Sequence, residues 1–146
     1  MTEKEWTENE EKKEYLKSYQ RSVKREQDIL DEIQRLRLDK MFPSIVNDGM
    51  PHGSSQTDLS DYIAILDEMI EDLKAERLKR VKRQQEIEQR IQQMEDEDEQ
   101  RVLRLRYIKG MKWEEVAVEM GYSWKWTHEI HSEALKHFEI PKEETL

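Results

Sequence analysis

The chain has 146 residues, of which 40% are charged and 35% are hydrophobic, and its mean hydropathy is −1.08. This length fits one domain, or one helical domain with a small module attached, and the polar composition excludes a thick globular core while it suits long, thinly packed helices. Cysteine is absent, so a disulfide framework and a thiolate metal site are excluded. The formal net charge is −9, and this overall charge by itself argues against nucleic-acid binding.

The sequence contains no apolar run that approaches the length of a membrane span. The N-terminal stretch MTEKEWTENEEKKEY is too acidic for a signal peptide. We therefore expect a cytoplasmic protein without a membrane partner. Because glycine and proline occur only at Pro43–Gly53, Gly110, Gly121 and Pro141, everything between these places can be helical, and the sequence predicts an all-α fold.

The first helical pattern runs from Glu10 to about Lys40, after residues 1–9, which are expected to be frayed. Its apolar residues form a narrow stripe along one face. A helix with such a narrow apolar stripe is not stable alone in water, so it needs a partner helix. The stripe consists of apolar residues at spacings of three, four or seven, namely Leu16, Tyr19, Val23, Leu30, Ile33 and Leu36, with Ile29 beside them.

A loop at residues 41–58 precedes a second helix that runs to about Met94. In this helix a set of mainly apolar residues recurs at alternating spacings of four and three residues, which is the pattern of a coiled-coil seam. Polar residues at Arg77, Arg80 and Gln84 weaken the middle of the seam. Its members are Leu59, Ile63, Leu66, Ile70, Leu73, Arg77, Arg80, Gln84, Ile87, Ile91 and Met94.

The two stripes have similar lengths, so residues 10–95 are predicted to form an antiparallel helical hairpin. The alternative is that the second helix pairs with its copy in another chain. Both pairings together would give a four-helix dimer core, and we expect a homodimer through this region. The acidic run at Glu95–Glu99 is expected to act as a hinge before a second module at residues 96–140, and residues 141–146 form a tail.

The second module contains three short helical patterns separated by breaks at Gly110 and Gly121. Glycine takes a positive φ at a helix end without steric cost. The first pattern carries Val102, Leu103, Leu105, Tyr107 and Ile108, and the second, Trp113 to Met120, buries Val116, Ala117 and Met120. Ser123 is a suitable N-cap for the third helix. Two helices joined by a short turn that contains glycine are typical of a helix-turn-helix.

The third helix, residues 124–138, is then the recognition helix, which enters the major groove of double-stranded DNA. At about 100° per residue, one face holds Thr127, Ile130, Ala134 and Phe138 and should pack on the first two helices. Trp124, Lys125, His128 and Ser132 should face outward. Among the other tryptophans, Trp113 is expected in the core, while Trp126 fits either the core or the surface.

The run from Val116 to Phe138 resembles, without gaps, the helix-turn-helix of region 4 in primary-type bacterial sigma factors. Ser123 stands at the Thr cap, Ile130 at the buried Ile, and Ala134-Leu135 at the Ala-Leu near the end. With RYIKGMKWEEVAVEMGYS, the run IHSEAL and the long helical N-terminal part, the chain is similar to small sigma-region-4-like proteins of phages and prophages of Gram-positive bacteria. These include the ArpU and RinA late transcriptional regulators and relatives of unknown function.

The resemblance implies that Trp124, Lys125, His128 and Glu129 occupy the positions that read the promoter −35 element. Trp124 replaces an Arg and Glu129 a Gln, so the target need not be a −35 hexamer. The predicted base contacts are Trp124, Lys125, His128, Glu129 and Ser132. The predicted phosphate contacts are Arg101, Arg104, Lys109, Lys112 and Ser123, most of them in a basic stretch from Arg101 to Trp113 that contains no acidic residue.

The sequence predicts no catalytic constellation, no metal site and no cofactor. His128 and His131 are three residues apart, whereas the zincin motif requires histidines four apart on one helical face. Two functions remain, and neither is enzymatic. The first is a sequence-specific DNA-binding transcription regulator whose coiled coil dimerises or contacts RNA polymerase. The second is an adaptor that does not bind DNA and uses the coiled coil to bind RNA polymerase or a phage packaging component; the acidic balance favours it.

Overall fold

The computed structural model of the chain describes residues 2–41 and 55–142, and within these ranges the fold is all-helical, without a strand. The predicted all-α fold is therefore confirmed. No helix in the described ranges is long and apolar enough to cross a membrane. The elements are α1 (Glu3–Met41), α2 (Ser55–Gln92), α3 (Glu97–Leu103) with a π-helical turn (Arg104–Ile108) that continues it, α4 (Trp113–Met120) and α5 (Trp124–His137).

Helix α1 begins at Glu3, where the sequence predicted a frayed segment at residues 1–9. Thr2 caps it, because Thr2 Oγ1 accepts a hydrogen bond from the Glu5 backbone N–H at 3.2 Å. Glu3 and Glu5 in the first turn also suit the positive end of the helix dipole. The side chain of Asn9 is buried, so this first part of α1 is anchored by packing as well as by its cap. Most of the predicted loop 41–58 and of the tail 141–146 lies outside the described residues.

The chain divides into two compact units, one made of Met1–Arg21 and Arg80–Leu146 and the other of Ser22–Lys79. The boundary predicted between residues 95 and 96 falls inside the first unit. The acidic run predicted as a hinge instead begins α3: Asp96 Oδ1 accepts the Glu99 N–H at 2.9 Å, and Glu97, Asp98 and Glu99 form the first turn. Acidic side chains stabilise a helix N-terminus, which explains their place here.

The core of the first unit combines α1, the end of α2 and the three C-terminal helices. Two polar side chains of α1 complete it by binding carbonyls that a helix end leaves without intrahelical partners. Lys12 Nζ donates to the carbonyl oxygens of Leu135 at 2.8 Å and Lys136 at 3.2 Å, and Gln20 Nε2 donates to those of Tyr107 and Ile108. The largest fully buried side chains of this core are Leu16, Ile87, Ile91, Val102, Leu103, Val116, Thr127, Leu135 and Phe138.

In each unit, contacts between α1 and α2 follow the order of antiparallel helices. In the first unit, Tyr15 Oη lies 3.1 Å from Glu86 Oε2 and Tyr19 Oη lies 3.3 Å from Gln84 Oε1. In the second unit the corresponding pairs are Arg25 with Glu76, Glu26 with Arg77, and Lys40 with Tyr62. Residues later in α1 therefore meet residues earlier in α2.

The second unit buries a charged side chain. Glu26 is 8% exposed, and its Oε1 accepts from Arg77 Nε at 2.9 Å. The seam predicted to begin at Leu59 and Ile63 is not covered there, since both residues are 47% exposed. Lys40, next to the last residue of α1, lies over the Tyr62 ring.

Candidate functional site

The turn between α4 and α5 positions the start of α5. Gly121 ends α4 with φ 74°, and its N–H donates to the carbonyls of Ala117 and Val118. Ser123 begins α5 because its Oγ accepts the Trp126 N–H at 3.1 Å, and Thr127 Oγ1 donates back to the Ser123 carbonyl at 2.8 Å. The bounds of α4, its three buried residues and the Ser123 cap match the predictions.

One face of α5 packs against the rest of the first unit as predicted. Thr127, Ile130, Ala134 and Phe138 are all buried. His131 and Leu135 are buried as well, which the sequence analysis did not predict for His131. The six positions follow the i, i+3, i+4, i+7, i+8, i+11 pattern of a wide buried stripe. This spacing is the signal that could have predicted the burial of His131.

His131 has a specific partner inside this core. Its Nε2 lies 2.7 Å from Tyr107 Oη in a buried hydrogen bond, and its ring lies in a T-shaped contact with the Trp113 ring at a centroid distance of 4.6 Å. Burial, followed by the charges of Lys13, His128, Arg106 and Lys17, lowers the pKa of His131 to about 3. Burial also raises the pKa of Tyr107, so both groups are neutral at pH 7 and the pair is structural.

The first two turns of α5 present several large side chains to solvent. Trp124 is 57% exposed and Trp126 is 50% exposed, and Lys125 and Glu129 are exposed beside them. Ser132, one turn further along, is half-buried. Of the five predicted base contacts, Trp124, Lys125 and Glu129 therefore form one accessible surface at the start of α5, and Ser132 lies at its edge.

His128, the fifth predicted base contact, is held in a stack of rings. Its ring lies 3.9 Å from that of Trp124 and 4.3 Å from that of Trp113 between centroids. The Arg106 guanidinium carbon lies 4.8 Å from the Trp113 ring centroid. Trp113 was predicted in the core but is half-buried, because the residues that stack on its ring, His128 and Arg106, are themselves only partly buried. His128 Nε2 is buried, and no atom of the described residues forms a hydrogen bond with it.

The predicted phosphate contacts fall into two groups. Arg101 Nη2 donates to the Glu119 carbonyl at 3.0 Å, and Arg104 Nε donates to Glu88 Oε2 at 3.1 Å, so both arginines bind groups of the chain itself. Lys109 and Lys112 are exposed at the end of the π-helical turn and before α4. Ser123 is exposed, and its oxygen is used as the cap of α5.

A cationic pocket, which we define by Lys13, Lys17, Arg106, Trp113 and His128, lies beside the ring stack. It has a volume of about 140 Å³, and Tyr107 and His131 also line it. None of its three cations was among the predicted contacts, and two of them, Lys13 and Lys17, come from α1, far from α5 in sequence. On the opposite flank of α5, a larger groove is lined mainly by acidic groups, among them Asp96, Asp98, Glu99, Glu129 and Glu133, together with Trp126.

The family described as "Protein of unknown function (DUF1492)" matches residues 40–139. The match begins at the end of α1 and includes α2 to α5, so the surface at the start of α5 lies within it, whereas Lys13 and Lys17 lie before it. No curated protein and no solved structure shows significant similarity to the chain.

Proposed function

The chain belongs to the DUF1492 family, and we propose that it is a sequence-specific DNA-binding transcription regulator. In this proposal α4 and α5 are a helix-turn-helix of the sigma-region-4 type, and α5 is the recognition helix that enters the major groove. The observation that carries the proposal is the division of α5 into a buried face and an exposed start. Thr127 and Ile130 are buried and pack α5 against the rest of the first unit, while Trp124 and Lys125 are exposed on its first turn.

The geometry supports different roles for the exposed residues. Side chains near the N-terminus of a recognition helix reach base edges, and Lys125 can donate to guanine O6 and N7. Glu129 can accept from a cytosine amino group. Lys109 and Lys112 are exposed cations near the turn and are suited to phosphates, which carry no sequence information but supply much of the affinity.

The longer helices have a separate role in the proposal. We propose that α1 and α2 form the predicted antiparallel hairpin, and that its exposed apolar residues pair with a second copy of the chain or with RNA polymerase. Leu59, Ile63, Ile65 and Leu78 are each between 47% and 56% exposed on α2. On the resemblance to phage and prophage late regulators, we propose late-gene promoters as the target.

The alternative, an adaptor that does not bind DNA, is favoured by a specific observation. The acidic groove beside α5 includes Glu129 and Glu133, and like charge repels the phosphate backbone. Arg101 and Arg104 are also bound to groups of the chain itself. An adaptor of this kind would use the exposed apolar residues of α2 to bind RNA polymerase or a packaging component.

Variants of two exposed lysines test the regulator proposal. Lys125→Ala is expected to reduce the preference for the target over random DNA by about tenfold, since one good base contact contributes about 1–3 kcal/mol of discrimination. Lys109→Ala is expected to weaken binding to all sequences alike and to reduce the salt slope by about one. Fluorescence anisotropy with target and random duplexes measures both, and Lys24→Ala, an exposed lysine of α1, is the control. Equal losses on both duplexes for Lys125→Ala would contradict its assignment to a base.

A further inference from the structure

The cationic pocket combines three positive charges with a polar atom that lacks a partner. Lys13 and Lys17 approach from α1, and Arg106 approaches from the π-helical turn. Arg106 Nη1 donates to the Met111 carbonyl at 2.8 Å, which fixes the guanidinium and leaves most of its five N–H donors for another acceptor. His128 Nε2 is buried beside them and forms no hydrogen bond with any described residue.

Acidic residues near the pocket do not cancel this charge. Lys13 Nζ lies 3.1 Å from Glu10, and Lys17 Nζ lies 3.9 Å from Glu14, but both pairs are partly exposed contacts within one helix, which are weak. The causes of the shift in the pKa of His128 show which charges act at the pocket. Burial lowers it first, the charges of Arg106 and Lys13 lower it further, and only Glu114 raises it. Two of the pocket cations therefore act on the imidazole, against one carboxylate.

The size and chemistry of the pocket suit one small anion. An apolar cavity of about 150 Å³ holds a benzene molecule, so a pocket of about 140 Å³ has room for a tetrahedral phosphate. Lysine and arginine donors from different directions match the several oxygens of a phosphate, and a hydrogen bond from arginine to phosphate is among the stronger ones in proteins. A neutral imidazole with Nε2 protonated can donate one more.

We propose that this pocket binds a phosphate group, and that in the complex with DNA the group is a backbone phosphodiester beside the major groove entered by α5. The DNA part of this inference rests on the proposed function, whereas the phosphate site does not. The inference changes the role of His128 from base contact to phosphate contact. It also makes α1 part of the nucleic-acid surface through Lys13 and Lys17, which lie outside the region matched by the family.

Titration of the full chain with inorganic phosphate tests the site directly. The ring nitrogens of His128 are followed by NMR in histidine-labelled protein while phosphate replaces chloride at constant ionic strength. The expected result is a saturable shift of the His128 resonances. The double variant Lys13→Gln/Lys17→Gln should weaken phosphate binding at least tenfold. The matched control is Lys4→Gln/Lys24→Gln, which removes two exposed lysines of the same helix and should leave the titration unchanged.

A second arm uses duplex DNA and identifies the source of the phosphate. If the pocket holds a backbone phosphodiester, Lys13→Gln/Lys17→Gln should reduce the salt slope of DNA binding by about one to two, and the control should not. A His128 shift with phosphate and an unchanged DNA slope would support the site and assign it to a small phosphate-bearing ligand. A His128 shift without DNA binding by any variant would contradict the proposed function and leave the site standing. No His128 shift with phosphate, together with an unchanged DNA slope, would overturn the inference.

Discussion

The buried pair of His131 and Tyr107 makes the stability of the first unit depend on pH. The pKa of His131 is lowered from 6.5 to about 3 in the folded chain, mainly by burial. In the unfolded chain the imidazole titrates near its ordinary value of about 6.5. As the pH falls below that value, the unfolded state binds a proton that the folded state does not, so unfolding becomes more favourable. The stability is present above about pH 6.5 and is lost as the pH falls toward 3.

The magnitude follows from the size of the pKa difference. One pKa unit corresponds to about 1.4 kcal/mol, so His131 should reduce the free energy of unfolding by about 1.4 kcal/mol for each pH unit below 6. Over the interval from pH 6 to pH 4 the loss is about 3 kcal/mol, a large part of the roughly 5–15 kcal/mol that stabilises a typical domain.

Urea unfolding between pH 7 and pH 4 measures this loss. The tryptophans, at positions 6, 113, 124 and 126, all lie in the first unit, so their fluorescence reports its unfolding. His131→Gln removes the titrating group and keeps an amide that can bond to Tyr107 Oη. It should be less stable at pH 7 but should lose less stability on acidification, by about 1.4 kcal/mol per pH unit. Parallel pH profiles for the two proteins, or an NMR titration in which folded His131 protonates near pH 6, would refute the reasoning.

Three further predictions follow from the caps and from the proposed dimer. Gly121→Ala should lower the free energy of unfolding by about 1–2 kcal/mol because φ is +74° there. Gly110→Ala should lower it more, since the added Cβ would lie 3.1 Å from Gln20 Oε1. Equal losses for the two variants would contradict the role of this close approach. Lys12→Met should lower the free energy of unfolding by about 1–3 kcal/mol through the two lost carbonyl contacts. The control Lys4→Met, at an exposed position of the same helix, should lower it by less than about 0.5 kcal/mol. Urea unfolding measures both, and similar values for the two would show that Lys12 does not anchor α5. If the chain is a homodimer, sedimentation equilibrium should give twice the mass of 17.8 kDa, and a monomer at all concentrations would rule the dimer out.

Local signals were sufficient to predict the helices around the candidate site. Gly121 and Ser123 determine the end of α4 and the start of α5 through a positive φ and a cap, and both effects depend only on neighbouring residues. The buried face of α5 was predicted for the same reason, because helical spacing alone separates Thr127, Ile130 and Ala134 from the exposed residues.

Long-range contacts account for what the sequence analysis missed. Lys12 binds the carbonyl of Leu135, and Gln20 binds those of Tyr107 and Ile108, but nothing in the spacing of α1 identifies partners so far along the chain. For this reason the first part of α1 was assigned to the hairpin and not to the unit that contains α5. His131 illustrates a different difficulty: its position fits the buried stripe, but a histidine is placed in a core only when a partner such as Tyr107 is known.

The proposal that the chain reads a DNA sequence is tested most directly by selection from a random duplex library at two salt concentrations. Bound sequences are recovered from the purified full chain and compared with the starting library. The proposal predicts an enriched motif and binding that weakens steeply with salt, and two-fold symmetry in the motif would add the dimer. No enrichment and no binding at low salt would contradict the regulator and favour the adaptor.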